Sequence, residues 1–258
     1  MELTWLGRSC FQVITRYQKR ILFDPFLEWY RERELSPFPP PDMLCISHGH
    51  LDHFADVPDL IRGDSPAIVV AVPGMCRALG ELIPETQNRL FPLSWGDQFE
   101  LERIPIFAFR SPPMRTSLYD MFEEFGVSKV LDFLRSFRQV ADEILYLPLT
   151  SFGIKVDGFR LLHFTFEGES DGGEVDVQGI GQQFVPDVAL VSVEHGQERR
   201  SAEYAAALGA PMVIPHHFHA YMGVPPADLD AFARELARLA PNINLRVLDV
   251  TETVKFER

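Results

Sequence analysis

Short apolar runs broken by polar turns open the chain: Leu3 to Leu6, Cys10 to Thr15 and Ile21 to Phe23, with Arg16 to Lys19 turning the backbone and Asp24-Pro25 ending the third run. This pattern predicts hairpin strands. A proline-rich loop, Pro37 to Pro41, leads into Met43 to Ser47, an apolar run of buried-strand length, and a histidine-dense segment follows it directly. Further strands are expected at Ala67 to Val72, Gln98 to Glu102, Ile104 to Arg110, Gly153 to Val156, Arg160 to Phe166 and Val188 to Val193. Helices are expected at Gly74 to Leu82, Ser201 to Leu208 and Ala227 to Leu239, the last stopped by Pro241. From Ser117 to Glu143 the apolar residues fall mostly at three- and four-residue steps, which predicts one or two amphipathic helices. Asn244 to Lys255 is expected to close the fold as a strand pair. Elements alternating at these lengths make a mixed α/β layered fold.

No low-complexity linker, charge block or repeat interrupts the 258 residues, so the chain is expected to form a single domain, 1–258, with the helical segment as an insertion at about 113–143. Hydrophobic residues at 46% and charged residues at 24% match globular usage and exclude disorder, collagen and coiled coil as readings of the whole. The longest apolar stretch, Ala67 to Met75, is interrupted by Pro73 and falls short of a membrane span, so no membrane association is expected. The start lacks a signal-peptide pattern, and Cys10, Cys45 and Cys76 are odd in number and scattered, which points to a reducing cytoplasm. A net charge of −13 opposes phosphate-backbone binding, and nucleic acid is not expected as a partner.

The eight histidines carry the chemistry, because six of them fall in two short windows, 48–53 and 216–219. Side chains two apart on an extended segment point the same way, so His48 and His50 can grip one cation. A turn after Leu51 then presents Asp52 and His53 to a neighbouring position. Gly49, without a Cβ, lets the backbone fold tightly between two ligands. Imidazoles with a carboxylate suit zinc, iron or manganese.

At this point the chain resembles a family. Ser47-His48-Gly49-His50-Leu51-Asp52-His53 is similar to the HxHxDH signature of the metallo-β-lactamase superfamily. Thr4 to Phe11 followed by Ile21 to Phe26 resembles the opening of its ascorbate-6-phosphate lactonase-like branch, and so does Asp187 to Val191 followed by Val213 to Phe218. The resemblance implies a four-layer αββα sandwich with a metal site along one edge of the two sheets. It makes His217 the final metal-binding histidine, and Glu169, in Gly168-Glu169-Ser170, the counterpart of a bridging carboxylate. Two departures stand out. Arg110 and Arg8 occupy positions where the branch has histidines, and a guanidinium cannot donate a lone pair to a metal. The first metal position then keeps His48 and His50, while the second keeps Asp52, His53, Glu169 and His217. One or two divalent ions per chain are expected, centred on the second position, with zinc the first expectation and manganese or iron also suited.

The function implied is metal-assisted hydrolysis of a small ester, lactone or phosphoester, with Asp52 and His53 as the catalytic pair and Asp52 orienting the attacking water. Arg110 and Arg8 are assigned to gripping an anionic substrate bidentately, though ion pairs with nearby carboxylates would use them equally well. Asp24 is expected behind the ligands as a supporting carboxylate. Two other readings stay open: an iron-dependent redox protein, and a metal-binding protein whose altered site no longer catalyses. His163 reads as a core residue before a ligand, His195 as a loop residue, and His216 and His219 as flanks, with His217 and His219 sharing a side. Gly179-Ile180-Gly181-Gln182-Gln183-Phe184 opens like a dinucleotide fingerprint but lacks the third glycine, so no nucleotide cofactor is expected. The aromatic stripe of 117–143 reads as core, as the face of a homo-oligomer, or as a roof over the site.

Overall fold

The computed structural model describes residues 1–33, 38–112, 149–166, 175–221 and 224–258. The expected helical insertion and Glu169 lie outside the described residues. The amino-terminal half builds one sheet from β1 (Glu2–Gly7), β2 (Cys10–Ile14), β3 (Arg20–Phe23), β4 (Met43–Cys45), β5 (Ile68–Ala71) and β6 (Leu90–Pro92). The second sheet holds β7 (Gln98–Leu101), β8 (Ile104–Arg110), β9 (Thr150–Val156), β10 (Phe159–Phe164), β11 (Val188–Ser192), β12 (Met212–His216) and β13 (Asn244–Leu245), and β14 (Thr253–Lys255) returns to the first. Their orders are β14-β1-β2-β3-β4-β5-β6 and β13-β12-β11-β10-β9-β8-β7. Each sheet is antiparallel through its first four strands in chain order of pairing and parallel thereafter: β3 pairs in parallel with β4, and β10 with β11.

Both faces of the central strands are buried, and this is why they read as unbroken apolar runs. Ile21, Phe23, Met43 and Cys45 join the core between the sheets, while their neighbours Leu22 and Leu44 turn to the other side and pack with Phe54, Met75 and Leu79. Phe11 and Phe23 from the first sheet meet His163 of the second at 6.1 and 5.0 Å between ring centroids, so the two inner faces are in contact. The helices α1 (Glu28–Glu32), α2 (Leu51–Phe54), α3 (Val57–Ile61) and α4 (Pro73–Leu82) belong to the first half. Helices α5 (Val177–Phe184), α6 (Glu198–Leu208) and α7 (Leu229–Leu239) belong to the second, where α6 packs on β11 and between α5 and α7. The result is the helix–sheet–sheet–helix sandwich.

Several expectations are refined by local chemistry. Helix α7 starts at Leu229 rather than Ala227 because the Asp228 carboxylate accepts from Ala231 N–H at 2.9 Å and caps it there. The closing segment is not a strand pair: β13 extends the second sheet beside β12, and β14 extends the first beside β1. The glycines of the false fingerprint lie in α5, where a Cβ on Gly181 would meet the Leu208 carbonyl oxygen at 2.5 Å; the glycine permits α5 to approach α6 closely. Helices α1, α2 and α3 and strand β6 are too short for periodicity to reveal. Among the described residues, no helix is long and apolar enough to cross a membrane.

Candidate metal centre

The site collects at the carboxyl ends of parallel strands from both sheets, the general place for ligands in open α/β sheets. Strand β3 delivers Asp24, β4 delivers Ser47 and His48, β11 delivers Glu194, and β12 delivers His217. The β1–β2 hairpin tip adds Arg8. A hydrogen bond from Thr150 N–H to the Ser47 carbonyl, 3.1 Å, ties the two sheets together at this rim. Three of these residues hold left-handed backbone: Arg8 at φ 46°, Asp24 at 42° and His217 at 66°. Such conformations cost free energy for residues with a Cβ and cluster where a side chain must be aimed.

The histidine segment turns as its spacing requires. His50 stands in extended backbone just before α2, and the single turn of that helix carries Asp52 and His53. Ring centroids lie 4.6 Å apart for His48 and His50 and 4.1 Å apart for His48 and His53. From the other sheet His217 reaches in, its Nε2 3.0 Å from Asp52 Oδ2 and 3.4 Å from His53 Nε2. Donor atoms of Asp52, His53 and His217 all lie within 4.8 Å of one another, and all three side chains are buried. The structure thus gathers His48, His50, Asp52, His53 and His217.

Behind these rings stand groups that fix their orientation. Asp24, fully buried, accepts from Ser47 N–H at 2.7 Å, from Ser47 Oγ at 2.6 Å and from His53 Nδ1 at 2.8 Å. His48 Nδ1 lies 2.9 Å from Ser47 Oγ, and His217 Nδ1 lies 2.6 Å from Glu194 Oε1. Three imidazoles therefore engage their Nδ1 atoms outward and keep Nε2 for the interior, the arrangement that metal-ligating histidines adopt. The donor set fits a divalent ion of the zinc, manganese or iron group.

Electrostatics follow from this packing. Burial alone would raise the Asp24 pKa, but the charge of His53 and its hydrogen bond bring it below the usual carboxylate range. Burial likewise opposes the ionised form of Asp52, and Arg8, His53 and His217 overcome it, holding that carboxyl well below its ordinary value. For His217, burial and Arg8 act to lower the pKa, yet Glu194 and Asp52 prevail and push it up to about 9. His216 goes the other way, well below its ordinary value, because it is buried and surrounded by other imidazoles.

The remaining sequence candidates fall as follows. Arg8 is not directed at solvent: its Nε and Nη2 donate to Asp52 Oδ2 at 3.0 and 2.5 Å. Arg110 is exposed at the end of β8, its guanidinium 5.2 Å from the centroid of the Trp95 ring. His163 is a core residue, stacked between Phe23 and His216 with Nε2 3.0 Å from the Ser9 carbonyl. His195 is an exposed loop residue against the Pro226 carbonyl. Strand β12 stops at His216 and His217 turns left-handed, so strand alternation does not carry on to His219, which packs on Trp5 and Trp29. Sequence reasoning missed Glu194 and Tyr221. A carboxylate two residues beyond a buried strand was the available signal for Glu194; Tyr221, over Arg8 at 4.6 Å, had none.

Comparison with known proteins agrees with this architecture. Residues 19–118 match the model of a β-lactamase superfamily domain. A UPF0173 metal-dependent hydrolase of Methanosphaerula palustris is 27% identical over 247 residues, covering 92% of each chain. Igni18, a metallo hydrolase of Ignicoccus hospitalis, superposes with a TM-score of 0.70 at 19% identity, over 100% of this chain and 98% of its own. The metallo-β-lactamase fold protein YhfI of Bacillus subtilis does so at 0.67 and 11%, over 98% of both.

Proposed function

We propose that this chain, a metallo-β-lactamase-superfamily relative of the UPF0173 proteins, is a metal-dependent hydrolase of a small, anionic ester, lactone or phosphoester. The observation that carries the reading is the trio Asp52, His53 and His217, with carboxylates Asp24 and Glu194 on the outer nitrogens of the two rings. His48 and His50 complete the inner donor set, and Glu169, outside the described residues, is assigned to it by its motif. Zinc is the first expectation. A bound divalent ion supplies Lewis-acid polarisation of the substrate and a nucleophile at neutral pH. Asp52, ionised by its cationic neighbours, is the group we assign to orienting the water, and His53 is held by Asp24 in one orientation beside it. Arg110, on the surface over Trp95, is the residue we give to the substrate's anion. Cys10, Cys45 and Cys76 are buried free thiols, in keeping with a reducing cytoplasm.

The test is metal analysis of protein purified without added metal, followed by a survey of esters, lactones and phosphoesters with and without chelator. Chelator-sensitive turnover that disappears in Asp52→Asn is expected. Metal bound without turnover on any of these classes would favour the non-catalytic alternative, which Arg8's hold on Asp52 supports.

A further inference from the structure

Arg8 stands where a cationic side chain has least reason to be, inside a cluster built of cation-binding groups. Its backbone is pinned from both sides: the Arg8 carbonyl accepts from Trp5 Nε1 at 2.9 Å and from His217 N–H at 3.3 Å. Just before it, Gly7 lies at φ 107°, and a Cβ there would meet the Trp29 ring at 2.4 Å, so the hairpin tip is fitted closely under α1. The guanidinium is 3% exposed, lies under the Tyr221 ring, and sends both Nε and Nη2 to a single atom, Asp52 Oδ2. That same oxygen faces His217 Nε2 at 3.0 Å and His53 Nε2 at 3.9 Å. It is the oxygen through which Asp52 would join the two histidines in holding a metal.

We propose that Arg8 is a resident counter-cation of the metal centre, which keeps Asp52 Oδ2 in the loaded protein and limits the cluster to one divalent ion per chain. The inference rests on reading the cluster as a metal centre. A guanidinium keeps its proton at any working pH, so unlike a histidine at this position it cannot become a ligand or leave as a neutral group. A second dication, at the position of His48 and His50, would add its charge to a buried cluster that already holds this fixed cation, with little solvent to screen the repulsion. Swinging Arg8 away would separate it from Asp52 and from the Tyr221 ring while its backbone stayed anchored.

Equilibrium dialysis of the full chain with zinc tests this, on the native protein, Arg8→Gln and Arg8→Lys. Native protein and Arg8→Lys should bind one zinc per chain. Arg8→Gln should take a second, or bind it about tenfold more tightly or better. Two zinc ions in the native chain, or equal stoichiometry and affinity in native and Arg8→Gln, overturns the proposal and leaves the metal centre standing. Zinc in neither protein overturns the metal reading itself, and the proposal with it. A measurement on the native protein needs no variant to fold: the Arg8 Nε–H resonance in 15N spectra should stay protected from exchange when zinc is added, and its release to solvent would show that metal displaces Arg8.

Discussion

Replacing Asp24 by asparagine separates the charge and the hydrogen-bond polarity behind the site from its shape. The native carboxylate accepts three hydrogen bonds, one from Ser47 N–H at Oδ1 and two, from Ser47 Oγ and His53 Nδ1, at Oδ2. A main-chain N–H cannot reverse its polarity, so the amide oxygen of Asp24→Asn must stay beside Ser47 N and the NH2 must take the place of Oδ2. The Ser47 hydroxyl can rotate to accept. His53 Nδ1 can accept only by moving its proton to Nε2, the atom that faces the metal position, and the ring then presents a donor where a lone pair is required. Loss of one charge-assisted bond costs about 1.5–3 kcal/mol, and the reversed tautomer adds to it. Zinc affinity should therefore fall by about 2–4 kcal/mol, roughly 30- to 900-fold. Asparagine tolerates the left-handed φ of 42° at this position, so the backbone does not confuse the result. A stability loss near ~2 kcal/mol would lower the unfolding midpoint by about 4–8 °C in a chain of this size. Because the folded Asp24 pKa lies below the ordinary value, its stabilisation is present above the unfolded pKa and is lost as pH falls through the folded one. Equilibrium dialysis with zinc and long-range 15N spectra of the imidazoles check the prediction. Native affinity, with His53 still protonated at Nδ1, would refute the reasoning.

Other consequences follow from the same geometry. In metal-free protein the His217 pKa is raised to about 9, so its stabilisation is full below the unfolded value near ~6.5 and fades as pH rises through 9. Over that interval zinc affinity should climb by about tenfold per pH unit as the ring loses its proton, and Glu194→Gln should end the climb at lower pH; a flat profile in the native chain would exclude this account. His50→Ala or His217→Ala should lower zinc content while far-ultraviolet circular dichroism stays native, since ligands at a sheet edge add little to the core, and full occupancy in the double variant would remove them from the ligand set. Arg110→Ala should leave zinc content unchanged and raise KM for an anionic substrate relative to a neutral analogue, because the exposed guanidinium lies over Trp95 at the surface. Equal effects on both substrates would assign Arg110 to structure alone.

The chain's local chemistry determined a good deal by itself. The order of strands and helices followed from runs and periodicity, and the segment from His48 to His53 could be read because its ligands are neighbours, positioned by one strand end and one helical turn. Asp24 was legible for the same reason, as a carboxylate halting a buried strand before Pro25. What the tertiary structure decided are pairings between residues distant in sequence. Glu194 meets His217 because β11 and β12 run in parallel with Ser192 beside His216, a register that no local pattern specifies. Arg8 meets Asp52 across 44 residues because a hairpin tip, held left-handed by Trp5 and His217, turns its side chain inward. The two closing strands part company, one to each sheet, because an edge strand pairs with whichever edge the fold brings to it. Spacing along the chain determines which side chains share a short segment; strand order and single left-handed residues determine which segments face one another, and those are properties of the assembled sheets.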